Sequence, residues 1–299
     1  MPIRDSNALP RAYHITREHL FNGLKSGIMV LEKHYYQSSE ILHYHDFYEL
    51  VTVRSGSASH VTENAEYPVK RGDVFLLRPG ERHCYRDIDA FEIVNLIYSE
   101  RTASLLREES MSHPGYLSFF EGVAPASAVS ERGRSRLSEA DLQEVLAHTD
   151  AMEAEEQADS PESAVVLLAH FMLIAVRILR SRTWLLPAAD ETAGKLREVL
   201  NDIHRNGLGR LSVADIAERA SLSPRTLQRL FREHLGKTPE AYLNDFRLDT
   251  FLSLLPESTG KLYELAEQCG FSNAAHLCRR FRQRYGCSPR QWAGARSRG

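Results

Sequence analysis

Two groups of residues in this 299-residue chain have the types and spacing to do chemistry. The first is rich in histidine: His43-Tyr44-His45-Asp46-Phe47-Tyr48-Glu49, then Gly56, then His83 after Gly72-Asp73 and Pro79-Gly80-Glu81-Arg82. Alternate residues of a β-strand share a face, so His43 and His45 point the same way, and Glu49, four residues on, keeps that face. Together with His83 they make a three-histidine, one-carboxylate set of the kind that takes a divalent metal. The same four residues, with Tyr85 and Asn95, also suit the lining of a pocket for a polar small molecule. A pocket that binds such an effector, without metal or other cofactor, is the expectation; His43, His45, Glu49 and His83 as metal ligands are the alternative.

The second group is basic and occurs twice. LSVADIAERASLSPRTLQRLFREHLGKTP spans Leu211 to Pro239, and KLYELAEQCGFSNAAHLCRRFRQRYGCSP spans Lys261 to Pro289. Both close on Arg-x-Phe-Arg-x-x-x-Gly-x-(Ser/Thr)-Pro. Repetition makes each copy support the same reading, a helix-turn-helix. In the first copy Ser212 caps a helix with Val213, Ile216 and Ala217 on one face. Ser223-Pro224 starts the next, whose buried stripe is Leu227, Leu230 and Phe231. Arg225, Thr226, Gln228, Arg229 and Arg232 are then left off the core. In the second copy Leu262, Leu265, Ala266, Leu277 and Phe281 are core, and Asn273, Ala275, His276, Arg279 and Arg280 are exposed. A helix fits the major groove, where Arg reads the guanine edge and Gln the adenine edge. Pro239 to Leu255 between the copies reads as one linking helix; about 16 residues span ~24 Å, enough to present two recognition helices to successive major grooves.

The remaining pattern supplies the elements around these groups. Met29 to Tyr98 reads as short strands with Gly and Pro punctuation (MVLEKHYY, YELVTVRSG, ASHVTE, YPVKRG, DVFLLRPG and FEIVNLIYS), as in a small antiparallel barrel or jelly roll. After Thr102 the pattern is helical, and Ala164 to Leu179 is apolar nearly all round, which suits a dimer interface. Thr183 to Ala193 reads as a linker. The expected division is 1–105 effector-sensing, 106–182 helical dimerisation region, 183–193 linker and 194–299 DNA-binding, an α+β chain. Charge follows it: Lys195 to Gly299 holds 18 Lys and Arg against 11 Asp and Glu, a net +7, whereas the rest, with 19 against 29, carries −10. A polyanion partner therefore suits only the C-terminal part. The four cysteines have no Cys-x-x-Cys spacing and read as reduced thiols. The first ten residues have no apolar core, and the apolar run is broken by His170 and Arg177, so a cytoplasmic chain that does not span a membrane is expected.

The C-terminal hundred residues resemble the DNA-binding domain of AraC/XylS-type transcription regulators, through the repeated motif, the linking-helix residues Ala241-Tyr242-Leu243 to Arg247-Leu248, and the closing Gly-x-(Ser/Thr)-Pro. The histidine strand, with Gly56 and His83, resembles the two cupin motifs. Arg78 to His83 and Asn95-Leu96-Ile97-Tyr98 resemble the rhamnose-responsive branch of the regulator family. The resemblance implies a cupin-like sensor, double-stranded DNA and RNA polymerase as partners, a homodimer, activation of transcription and a sugar effector. It implies base contacts by Arg225, Gln228 and Arg229 in the first helix, and by Ala275, His276 and Arg279 in the second. Phe251 departs from the small residue usual there, and Ala274-Ala275 supply no hydrogen-bonding side chains. Two alternatives stand beside this reading: an anionic second messenger such as a cyclic dinucleotide, gripped by Arg132, Arg134 and Arg136 or by Arg78 with Arg82, and a metal-dependent cupin enzyme with a DNA-binding appendage.

Overall fold

The computed structural model describes residues 13–15, 28–36, 42–45, 47–63, 65–110, 113–123, 133–158, 160–181, 191–209, 211–255 and 261–295. Its contacts form two units: Met1–Leu106 with Gly133–Arg182, and Arg107–Arg132 with Thr183–Gly299. The middle region that the sequence sets apart as 106–182 is thereby divided. Of the described residues there, 133–158 and 160–181 cluster with the strands, and 107–110 and 113–123 with the C-terminal helices. Most of the expected linker, 183–190, lies outside the described residues.

The first unit is built on eight strands: β1 (Tyr13–Ile15), β2 (Ile28–Tyr36), β3 (His43–His45), β4 (Tyr48–Thr62), β5 (Glu66–Lys70), β6 (Asp73–Leu77), β7 (His83–Tyr98) and β8 (Arg134–Arg136). They pair in the order β1-β3-β7-β4-β6-β8, with β2 also on β7 and β5 on β4. All pairings are antiparallel except β1 with β3. Val51, Val53, Phe75, Leu77, Tyr85, Phe91 and Ile93 form the centre of the core.

The long β4–β7 pair runs from Tyr48 opposite Tyr98 to Thr62 opposite His83. The sequence reading breaks β4 at Gly56, but the strand continues through it with irregular pairing between Val53 and Ser59. Gly56 has φ +69°, and a Cβ there would lie 2.1 Å from the Ala90 carbonyl oxygen. Glycine therefore accommodates a bulge that sequence alone presents as a turn.

Helices α1 (Glu100–Ser110), α3 (Glu139–Ala158) and α4 (Ser163–Arg180) follow the sheet, with α2 (Pro114–Phe119) between the first two. Among the described residues, α4 is the one helix long and apolar enough to cross a membrane. Here Leu167, Phe171, Ile174, Ala175 and Ile178 are buried, with Phe171 packed on Tyr98 at 4.8 Å. The other side leaves Val165 71% and Leu173 51% exposed. Arg177 pairs with Asp141 and Glu144 and so holds α4 to α3.

The second unit is helical: α5 (Glu191–Asn206), α6 (Val213–Arg219), α7 (Pro224–Leu235), α8 (Pro239–Leu254), α9 (Leu262–Gln268), α10 (Ala274–Tyr285) and α11 (Pro289–Ala295). Its starts and stops follow local chemistry. Ser212 and Asp215 form a capping box for α6, the Ser223 hydroxyl accepts from the Thr226 N–H, and Thr238 caps α8 in the same way. Gly236 (φ +71°) and Gly286 (φ +73°) end α7 and α10 in the left-handed region. Phe251 is fully buried and meets Phe281 edge-to-face at 5.7 Å, so the large residue in the linking helix fills the core beneath the second repeat.

Candidate DNA-reading surface and ligand site

Helix α7 buries Leu227, Leu230, Phe231 and Leu235, and the opposite side carries exposed Arg225, Gln228, Arg229 and Arg232. Thr226 is half-buried, and its hydroxyl is engaged with Ser223 at 2.8 Å in the cap. Arg229 reaches Glu233 one turn on, at 3.1 Å, but both are exposed (60% and 44%), and such pairs are worth under about 1 kcal/mol. A guanine edge can displace that carboxylate at little cost.

Helix α10 buries Leu277, Phe281 and Tyr285 and exposes Ala275, Arg279, Arg282 and Gln283. Ala275, Cys278, Arg279, Arg282 and Gln283 line one shallow concavity. Two residues of the set expected to face DNA have other engagements. Asn273 is the N-cap, its Oδ1 accepting from the His276 N–H at 2.8 Å, and Arg280 pairs with Glu240 of α8 at 2.8 Å. The His276 ring lies against Phe271, and burial, then the charges of Arg279 and Arg280, lower its pKa. It is a neutral imidazole able both to donate and to accept.

Both recognition helices contact α8, where one residue pins the surrounding loops. Arg247, 7% exposed, donates to the carbonyls of Gly207 (2.8 Å), Gly209 (2.9 Å) and Leu211 (2.8 Å). Gly270, φ +78°, turns into the second repeat so close that a Cβ would lie 2.8 Å from Arg247 Nε. On the other side of the unit, the Tyr242 hydroxyl donates to Glu121 at 2.8 Å and lies 2.9 Å from His204 Nε2. Glu121 also accepts from Arg107 and Tyr116. Burial, followed by the Arg107 charge, depresses His204 to about 3.

In the β-domain, His43, His45, Glu49, His83, Tyr85 and Asn95 are all buried. His43 sits opposite His83 across β3 and β7, ring centroids 4.2 Å apart, and His45 lies 5.2 Å from His83. The chain bends at Phe47, which brings Glu49 Oε2 to 2.9 Å from His45 Nε2. Tyr85 packs between His60 and Phe91. Asn95 lies further along β7, and its side-chain carbonyl has no hydrogen-bond partner among the described residues. His60 joins the group: its ring lies 5.9 Å from that of His83, and its Nδ1 meets the Tyr67 hydroxyl at 2.7 Å. Burial, then the Arg134 charge, depresses His60 to about 3; burial, then His45 and His43, holds His83 well below the ordinary value. These two imidazoles are neutral at physiological pH.

The arginines considered for a phosphate ligand have partners inside the fold. Arg134 lies over the Tyr67 ring at 3.8 Å, Arg136 binds Asp73, Arg78 faces Glu81 and Arg82 faces Glu63. Arg132 lies outside the described residues. All four cysteines are free thiols, and burial pushes Cys269 up to about 12.

A helix-turn-helix domain model matches residues 216–295, and an AraC-like ligand binding domain model matches residues 25–158. The chain has the two domains of an AraC-type regulator. The chain is 28% identical to the HTH-type transcriptional activator RhaS of Pectobacterium carotovorum subsp. carotovorum (strain PC1) over 249 residues, 83% of this chain and 85% of that protein. It is also 28% identical to RhaS of Salmonella schwarzengrund (strain CVM19633), with the same two shares covered. Among solved structures, ToxT from Vibrio cholerae is similar at 15% identity, covering 89% of this chain and 96% of that one, with a TM-score of 0.46. The DNA-binding domain of AdpA in complex with a target DNA is 32% identical over 34% of this chain and 91% of that one, with a TM-score of 0.32. The chain is a DNA-binding transcription regulator with a ligand-binding domain.

Sequence reading misses several residues of this regulator. The repeats are offset by fifty residues, so Arg225, Gln228, Arg229 and Arg232 correspond to Ala275, Cys278, Arg279 and Arg282. The offset itself was the signal for Cys278 and Arg282. His60 is eleven residues beyond Glu49, an odd separation that would put the two on opposite faces of an unbroken strand. The irregular pairing in β4 removes that rule. Arg247 enters the sequence reading only as part of the linking-helix string and Glu121 not at all, because their partners lie far away in sequence.

Proposed function

We propose that the regulator is an activator whose β-domain binds a small polar effector, a sugar, among His43, His45, Glu49, His60, His83, Tyr85 and Asn95. The observation that carries this reading is the buried polar group itself. Hydrogen-bonding side chains gathered in a core cost stability unless a partner uses them, and the Asn95 carbonyl is an acceptor with no partner among the described residues. Similarity to proteins named as HTH-type transcriptional activators supports the sign of regulation. The stacking of Arg134 on Tyr67 and the pairing of Arg136 with buried Asp73 disfavour an anionic dinucleotide at that pair of arginines.

Sensing lies before about residue 105, dimerisation in α3 and α4, and DNA reading from 194. Arg225, Gln228, Arg229 and Arg232 read one block of bases, and Ala275, His276, Arg279 and Arg282 a second, with Asn273, Thr226 and Arg280 fixing the helices. The exposed apolar side of α4, with Val165 and Leu173, makes the homodimer. The protein works in the cytoplasm, recruits RNA polymerase and acts by binding rather than catalysis. Effector binding shifts the population between arrangements of the DNA-binding units.

A thermal-shift comparison of neutral sugars with cyclic dinucleotides on the full chain tests the effector class. A ligand that binds the native state raises its melting temperature. A shift with a sugar that is lost in Asn95→Ala supports the reading; shifts confined to dinucleotides overturn it.

A further inference from the structure

The two recognition helices carry different chemistry on the same stripe. Residues three and four apart share one face of a helix. On α7 that face is Arg225, Gln228, Arg229, Arg232 and Glu233; on α10 it is Ala275, Cys278, Arg279, Arg282 and Gln283. The α10 set together lines the concavity on the helix surface. Arg279 and Arg282 keep the arginines of the first copy, but Ala275 and Cys278 stand where α7 has two hydrogen-bonding side chains, Arg225 and Gln228. Ala275 is exposed. Cys278 is a free thiol, half-buried and packed partly on the core beneath the second repeat. A thiol so placed behaves as a small apolar group and a weak donor at most. Glu233, which holds Arg229 on α7, is replaced on α10 by the uncharged Gln283. The concavity therefore combines one methyl and one thiol with two guanidinium groups.

The major groove offers such a surface one apolar group, the C5 methyl of thymine; the other features of base edges there are donors and acceptors. A polar edge pressed against Ala275 and Cys278 would lose water without gaining a partner, which is costly. A thymine methyl instead leaves water for an apolar contact. Arg279 and Arg282 supply the attraction to the polyanion that an apolar stripe lacks. We propose that Ala275 and Cys278 make α10 a reader of C5 methyl groups. The second operator block then holds thymine at one or two positions beside the base read by Arg279, and 5-methylcytosine, with the same methyl, substitutes for it. The first block, read through the hydrogen-bonding groups of Arg225 and Gln228, has no such requirement. This rests on the reading of α10 as a DNA-contacting helix and adds which group of the base it recognises.

The main test alters the DNA and leaves the protein native, so no variant has to fold. Duplexes selected by the full chain are remade with deoxyuridine in place of each thymine in turn, which removes the methyl and nothing else, and are compared by competition gel shift. One buried methyl is worth about fourfold in affinity. A loss of that size is expected at one or two positions of the block that Arg279→Ala erases, with no comparable loss in the other block. At the sensitive positions a 5-methylcytosine–guanine pair should bind about fourfold more tightly than cytosine–guanine. Cys278→Gln, which copies the first repeat, should exchange thymine for adenine at one position by at least about fivefold. A block without thymine, deoxyuridine without effect there, equal effects in both blocks, no gain from 5-methylcytosine, or an unaltered base profile in Cys278→Gln each overturn the proposal. If Arg279→Ala erases neither block, α10 does not read DNA and both readings fall. If it erases a block whose thymine methyls are inert, only the methyl reading falls.

Discussion

Replacing Arg247 by alanine removes the donor that gathers the carbonyls of Gly207, Gly209 and Leu211 at 2.8 to 2.9 Å. Hydrogen bonds from a charged donor contribute about 1.5–3 kcal/mol each, an upper sum of roughly 4.5–9 kcal/mol. Water regains some of the released carbonyls, and the guanidinium no longer has to be desolvated, so the net loss is about 3–5 kcal/mol. At about 4 °C per kcal/mol for a unit of this size, its melting temperature falls by ~12–20 °C. The assay is circular dichroism at the helix band, where the second unit dominates the signal, with Arg247→Lys as a single-point donor that recovers part of the loss. A melting temperature within about 3 °C of the native value would refute the view that Arg247 pins the loops between the repeats.

Three further outcomes follow from the same structure. Arg229→Ala loses about 1–3 kcal/mol of discrimination at one operator position, read by competition gel shift against single-base variants; unchanged selectivity removes Arg229 from the reading set. His204, depressed from 6.5 to about 3, stays neutral when folded while the unfolded chain takes up a proton, so stability present above pH 6.5 is lost progressively toward pH 3. Between pH 7.5 and 5.5 this amounts to about 1.4 kcal/mol; urea unfolding should show that increment missing in His204→Gln, and equal pH dependence contradicts it. Leu173→Glu, at a half-exposed site, leaves monomer stability within about 0.5 kcal/mol but weakens self-association at least about tenfold in sedimentation equilibrium. Unaltered association means another surface makes the dimer.

What the sequence discloses here is what neighbours in sequence decide. Caps, turn glycines and helical stripes are local, so Ser212, Ser223, Gly236 and the stripe Leu227-Leu230-Phe231 could be read directly, and the fifty-residue repeat doubled their weight. The continuous β4 could not, because Gly56 and its serines look like a turn until the close Ala90 carbonyl shows a bulge. His60 stayed hidden for the same reason. Asn273, Thr226 and Arg280 show a different limit: a polar residue on an exposed face is assigned to DNA by default, and only the fold shows Asn273 capping a helix, Thr226 meeting the Ser223 cap and Arg280 pairing with Glu240. The network of Glu121 with Tyr242 and His204 joins residues up to 121 positions apart, which no pattern in one sequence can disclose.

The central claim is that α7 and α10 read duplex DNA together from either end of one linking helix. Selection of bound sites from a random duplex library by the full chain measures this directly. Two enriched blocks per protomer, centred about 10 base pairs apart, are expected, with Arg279→Ala erasing one block and sparing the other. A single block, or two blocks that Arg279→Ala leaves untouched, would contradict it.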